Sequence, residues 1–111
     1  MITVDFFRTK DGRIQGFCFE GHADAGEYGY DLVCSAVSAL SISTVNAIES
    51  LTKAGFSEEE AAEDGGFLKV MLEPAGAGDH DAQLLLEALH QGISQMAESY
   101  PENIRIRHIE R

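Results

Sequence analysis

Residues 32–54 run for about six helical turns, at 3.6 residues per turn, without a glycine or a proline. Val33, Val37, Leu40, Thr44, Ile48 and Leu51 recur at helical spacing and define one face. Ala36, Ser38, Ala39, Ser41, Ser43 and Ala47 keep much of the remaining surface small, so a sheet or a second helix can approach closely. Asp31 is suited to cap the start, because its carboxylate accepts the unpaired N–H groups of a first turn. Gly55 is suited to the C′ position that ends it. So long a helix must bury its apolar face. With 111 residues, 44% of them hydrophobic, the chain can supply one modest core and therefore one domain over residues 1–111.

The flanking segments read as strands. Residues 1–8 are rich in β-branched and aromatic types, and Lys10-Asp11-Gly12-Arg13 is a hairpin turn of the Asp-Gly kind. Residues 14–20 alternate, with Ile14, Gly16, Cys18 and Glu20 on one face and Gln15, Phe17 and Phe19 on the other. Residues 21–31 carry Gly21, Gly26 and Gly29 and read as a mobile loop. Residues 56–63 give a weak strand signal because of their Glu-Glu-Glu run. Asp64-Gly65-Gly66 is a turn, 67–72 a clearer strand and 74–78 a linker. Asp79 or Asp81 caps a second helix whose stripe is Leu85, Leu89, Ile93, Met96 and Tyr100, joined by Leu86 and Ala97. Pro101 stops it, and 103–109 alternate as a last strand. The predicted class is α/β (α+β): a two-layer domain in the order β-β-α-β-β-α-β, with the helices packed on one mixed sheet.

Composition removes several functions. A formal net charge of −11 argues against a nucleic-acid ligand, which needs a Lys/Arg surface, and suits a basic partner. The sequence shows no apolar run judged long enough for a membrane and no basic, apolar leader at Met1-Ile2-Thr3-Val4-Asp5, so a cytoplasmic setting is expected. Two cysteines fit a reducing compartment. No CxxC or HxxxH pair is present, so no metal is expected, and His80, His90 and His108 read as surface or satisfied histidines. No phosphate-binding glycine loop leads into a helix, and no cofactor is expected.

What remains is thiol chemistry. An Asp31 cap would put Cys34 at the third helical position, where the dipole of the helix start favours thiolate. His22, in Gly21-His22-Ala23 at the end of a strand, is placed to pair with that thiolate and to protonate a leaving amine. Amides of the first turn would then be available as an oxyanion hole. Asp31 has two readings, a cap alone or a cap that also orients His22. Ser38, four residues after Cys34 on the same face, either bonds the sulfur or the loop, or simply packs. Cys18, in mid-strand without a neighbouring histidine, reads as core.

Gly21-His22-Ala23 followed by Gly29-Tyr30-Asp31-Leu32-Val33-Cys34-Ser35-Ala36-Val37-Ser38-Ala39-Leu40 resembles the signature of the ribosomal-processing cysteine protease Prp family. The His22-to-Cys34 spacing and the Asp64-Gly65-Gly66 turn are similar too. The resemblance implies a protease that removes an N-terminal extension from a basic large-subunit ribosomal protein, number twenty-seven. It implies Cys34 as nucleophile and His22 as general acid/base. Asp31 and Ser38 match supporting positions, Gly21, Gly26 and Gly29 lie in the matching substrate loop, and a homodimer is implied. Two other classes stay open: a thiol redox protein using Cys34 and Cys18, and a non-catalytic ribosome-assembly binding module.

Overall fold

The computed structural model describes residues 1–21, 28–61 and 66–111, and residues 28–31 by backbone alone. Its elements are β1 (Ile2–Arg8), β2 (Ile14–Glu20), α1 (Tyr28–Leu51), β3 (Phe56–Glu60), β4 (Phe67–Leu72), α2 (His80–Ser99) and β5 (Ile104–Glu110). A short 3-10 turn, Pro74–Gly78, occupies what the sequence suggested was a plain linker. The strands form one mixed sheet in the order β3-β4-β2-β1-β5, with β1 and β5 parallel and the other pairs antiparallel. The anticipated two-layer class is therefore the one observed.

Topology explains why both helices share one face. The crossovers β2-α1-β3 and β4-α2-β5 each join parallel strands, and they start from antiparallel neighbours and step in opposite directions. A half-turn about the sheet normal interchanges them. The right-handed crossover rule therefore puts both helices on the same side. Between helices and sheet lie Ile2, Val4, Phe6, Phe17, Phe19, Leu68, Val70 and Ile104, meeting Val33, Val37, Val45, Ile48, Leu86, Leu89 and Ile93.

The opposite face carries no third layer among the described residues. Arg107 Nε and Nη2 donate to the two Asp5 oxygens at 2.7 and 2.9 Å. Phe7, only 7% exposed, lies under Lys69 and Arg111, whose cationic groups sit 5.7 and 4.8 Å from its ring centre. Charged side chains with long apolar stems thus shield this face.

Several local expectations are corrected. Phe7 pairs with Gly16 and Arg8 with Ile14, so Gln15 is the extra residue of a β-bulge. The bulge turns Ile14 into the core with Phe17 and Phe19, which strict alternation could not do. Gln83 of α2 serves the backbone there: its Oε1 accepts from Ile14 N–H and its Nε2 donates to Ile14 C=O, both at 2.8 Å. The buried stripe of α1 is Val33, Val37, Ser41, Val45 and Ile48, while Leu40 turns toward α2 and Leu51 is exposed. α1 ends at Leu51, not residue 54. Thr52 Oγ1 donates to Ile48 C=O at 2.7 Å and accepts from Ala54 N–H at 3.1 Å, closing the helix with a side chain. Gly55 is consequently no C′ residue, and of the described glycines only Gly12 has a positive φ. A Cβ at Gly55 would stand 2.5 Å from Glu73 Oε2, the end of a flexible side chain that can move aside. Asp79 is the cap of α2, accepting from Ala82 N–H at 2.9 Å.

The expectation that no run could span a membrane is corrected as well. Leu32–Leu51, 20 residues of mean hydropathy 1.5, is long and apolar enough by length and composition. In this fold it places Val33, Val37, Val45 and Ile48 in the core, with 28% of the stretch buried.

Candidate active site

Gly21 is the last described residue before His22. It is buried, its N–H donates to Gly66 C=O at 2.9 Å, and an added Cβ would lie 2.9 Å from Ile2 Cγ1. The chain is thus pinned against β4 and β1 one residue before the histidine. His22 and Gly26 themselves lie outside the described residues, as does most of the proposed 21–31 loop. Asp64 and Gly65 of the anticipated turn lie outside them too.

Cys34 is half-buried and packs against the core cluster, on the helix side of the sheet. Ser38 follows it by one helical turn and is also half-buried. Two placements differ from expectation. α1 begins at Tyr28, so Gly29 belongs to helix and not to loop, and Asp31 lies inside the first turn instead of capping it. Cys34 is then the seventh residue of α1 and not the third. Dipole stabilisation falls off beyond the first turn, and an amide at that depth already donates within the helix. The first-turn dipole and free amide that the sequence offered Cys34 are therefore not what its position in α1 provides. The sequence signal that misled was Asp31, a good cap residue by type that an earlier start overrides.

Cys18 is chemically distinct. It sits opposite Asp5 and Lys69 on the uncovered face. Burial, then the Asp5 and Glu20 carboxylates, push its thiol up to about 11. It is protonated at neutral pH and so a poor nucleophile. Cys18 and Cys34 lie on opposite sides of the sheet, whereas a disulfide needs Cα atoms within about 7 Å. The fold does not bring together the two thiols that a redox pair would need.

The surroundings are acidic. Glu58, Glu59 and Glu60 are exposed along the edge strand β3, and Glu20 is exposed at the end of β2, opposite Phe67. A depression of about 260 Å³ on the uncovered face, lined by Thr3, Asp5, Cys18 and Arg107, reaches Gly21 but lies across the sheet from Cys34. Among the described residues no group of three or more His, Cys, Asp or Glu converges to hold a metal.

The family model for cysteine protease Prp matches residues 1–105. The chain belongs to the cysteine protease Prp family. The ribosomal processing cysteine protease Prp of Staphylococcus aureus is 35% identical over 106 residues, covering 96% of this chain and 97% of its own. A crystal structure of the Staphylococcus aureus protease with a covalently linked product peptide superposes with a TM-score of 0.86 at 34% identity, over 97% of this chain and 99% of that one. A Streptococcus mutans structure superposes at 0.89 with 39% identity, over 100% of this chain and 96% of the other. The Prp fold and the cysteine-protease class are thus this chain's own.

Proposed function

We propose that this chain is an endopeptidase of ribosome assembly that cuts the N-terminal extension from basic large-subunit ribosomal protein twenty-seven, with Cys34 as nucleophile and His22 as general acid/base. The observation that carries the reading is the full-length match to a protease whose Staphylococcus aureus member was crystallised with a covalently linked product peptide. A covalent product is what an attacking thiolate would leave. In the proposed cycle, Cys34 Sγ adds to the scissile carbonyl, and His22 gives its proton to the departing amine. The acyl group stays on sulfur as a thioester. Water, losing a proton to His22, then releases the acid and restores the thiolate. Glu58, Glu59, Glu60 and Glu20, in a chain of net charge −11, favour encounter with a basic substrate. A cytoplasmic location and a homodimer belong to the same reading, and no direct nucleic-acid, membrane or cofactor role does.

The test is to incubate the protein with its host's ribosomal precursor and weigh the products. One N-terminal cut is expected, lost in Cys34→Ala and His22→Ala. An uncut precursor that carries the extension, or undiminished cutting by Cys34→Ala, overturns the proposal.

A further inference from the structure

His90 of α2 and His108 of β5 lie remote from Cys34 in sequence, and nothing in the proposed proteolysis uses them. Their Nε2 atoms face each other at 3.2 Å, with ring centres 5.0 Å apart. Phe6, fully buried, presents its ring to both, at 4.8 Å from His90 and 6.3 Å from His108. His108 pairs with Phe6 in the parallel β1-β5 register, so the strand geometry aims it at α2.

We propose that His90 and His108 form a two-histidine site for a divalent transition-metal ion of the nickel, copper or zinc class, tying α2 to the edge strand β5. Imidazole nitrogens bind such ions at about 2.0–2.1 Å. Two of them on one ion are then about 2.9 Å apart at a right angle and about 3.4 Å apart at the tetrahedral angle. The observed 3.2 Å lies between these, so an ion can bridge both nitrogens with little side-chain movement.

The charged groups that act on His90, Arg8 and Glu87, oppose one another. Glu87 lies one turn before His90 on α2, with its Oε1 2.7 Å from Arg8 Nη1 of β1, and Glu110 follows His108 by two residues on β5. Burial lowers the pKa of His90 first, and Arg8 and His108 lower it further against the opposing pull of Glu87. No third protein ligand converges among the described residues, so water completes the coordination and the site is exchangeable, unlike a four-ligand structural zinc.

The alternative is an ordinary imidazole–imidazole hydrogen bond. That bond needs opposite tautomers, one ring donating through Nε2–H and the other accepting. A bridged ion needs both Nε2 atoms bare and both rings protonated at Nδ1. The experiment titrates Ni²⁺ into the full chain carrying Cys34→Ala, which removes a competing thiol, and follows heat, thermal midpoint and histidine ring resonances. One ion per chain is expected, the His90 and His108 signals should respond first, and the midpoint should rise with metal. His108→Gln and His90→Gln should each weaken binding by at least about tenfold and abolish the rise. His108 is exposed, so its variant decides the matter if the His90 change impairs folding. Undiminished Ni²⁺ binding by folded His108→Gln, or a first response from other histidines, overturns the proposal. So does the absence of a metal-dependent rise in the parent.

Discussion

Ser41 is fully buried in the stripe of α1 that faces the core, and among the described residues its Oγ is the buried side-chain atom that lacks a hydrogen-bond partner. Ser41→Ala should therefore stabilise the protein. An unpaired buried hydroxyl costs about 1–3 kcal/mol of lost hydration. Alanine also gains up to about 0.5 kcal/mol in helix propensity over serine. Against this stand the dispersion contacts of one atom, about 0.1–0.2 kcal/mol for each contacting pair and so about 1 kcal/mol altogether. The net expectation is a gain of about 1–2 kcal/mol, or about 4–8 °C in thermal midpoint for a domain of this size. Urea melts followed by far-ultraviolet circular dichroism measure it. The midpoint should move to higher urea with an unchanged slope, showing that the native state and not the denatured chain has changed. Ser41 is two helical turns beyond Cys34, so peptide cleavage should be unaffected. A loss of 1 kcal/mol or more would refute the reasoning, because it would show that the hydroxyl finds a partner in solution.

Three other outcomes are expected. Iodoacetamide should label native Cys18 slowly at neutral pH and faster as the pH rises through about 11. Because its folded pKa lies above the unfolded value of 9.0, its contribution to stability is complete below pH 9 and is lost as the pH climbs toward 11, a slope that Cys18→Ser should remove in alkaline urea melts. Gly16→Ala should cost about 3 kcal/mol in the same melts, since the new Cβ would lie 2.2 Å from the Val70 backbone oxygen, which cannot swing away. Asp79→Ala should cost about 1 kcal/mol and Asp79→Asn much less, because the cap needs an oxygen for Ala82 N–H and not a charge.

Local chemistry made much of the fold legible. The Asp11-Gly12 turn, the strands β1 and β4, a cap at Asp79 (one of the two aspartates the sequence offered) and the Pro101 stop are decided by neighbours a few residues apart, and the structure has them. The residues pointing to thiol chemistry were legible for the same reason. His22 and Cys34 lie in one short, distinctive stretch, and a reactive thiol and imidazole are recognisable by type. Tertiary packing decided the rest. An Ala/Ser-rich helix offers apolar residues on several sides, so whether Leu40 or Ser41 faces the sheet depended on α2 claiming Leu40. The bulge at Gln15 depended on Gln83, distant in sequence, reaching back to hold the backbone of Ile14. The start of α1 at Tyr28 moved Cys34 out of the first turn, although Asp31 is by type the better cap. Given the strand order, the handedness of two crossovers put both helices on one face, and with it Cys34 across the sheet from Cys18. Periodicity and capping act along the chain and can be read from it. Which face is buried, and which thiol meets which carboxylate, depends on partners that only the folded sheet brings together.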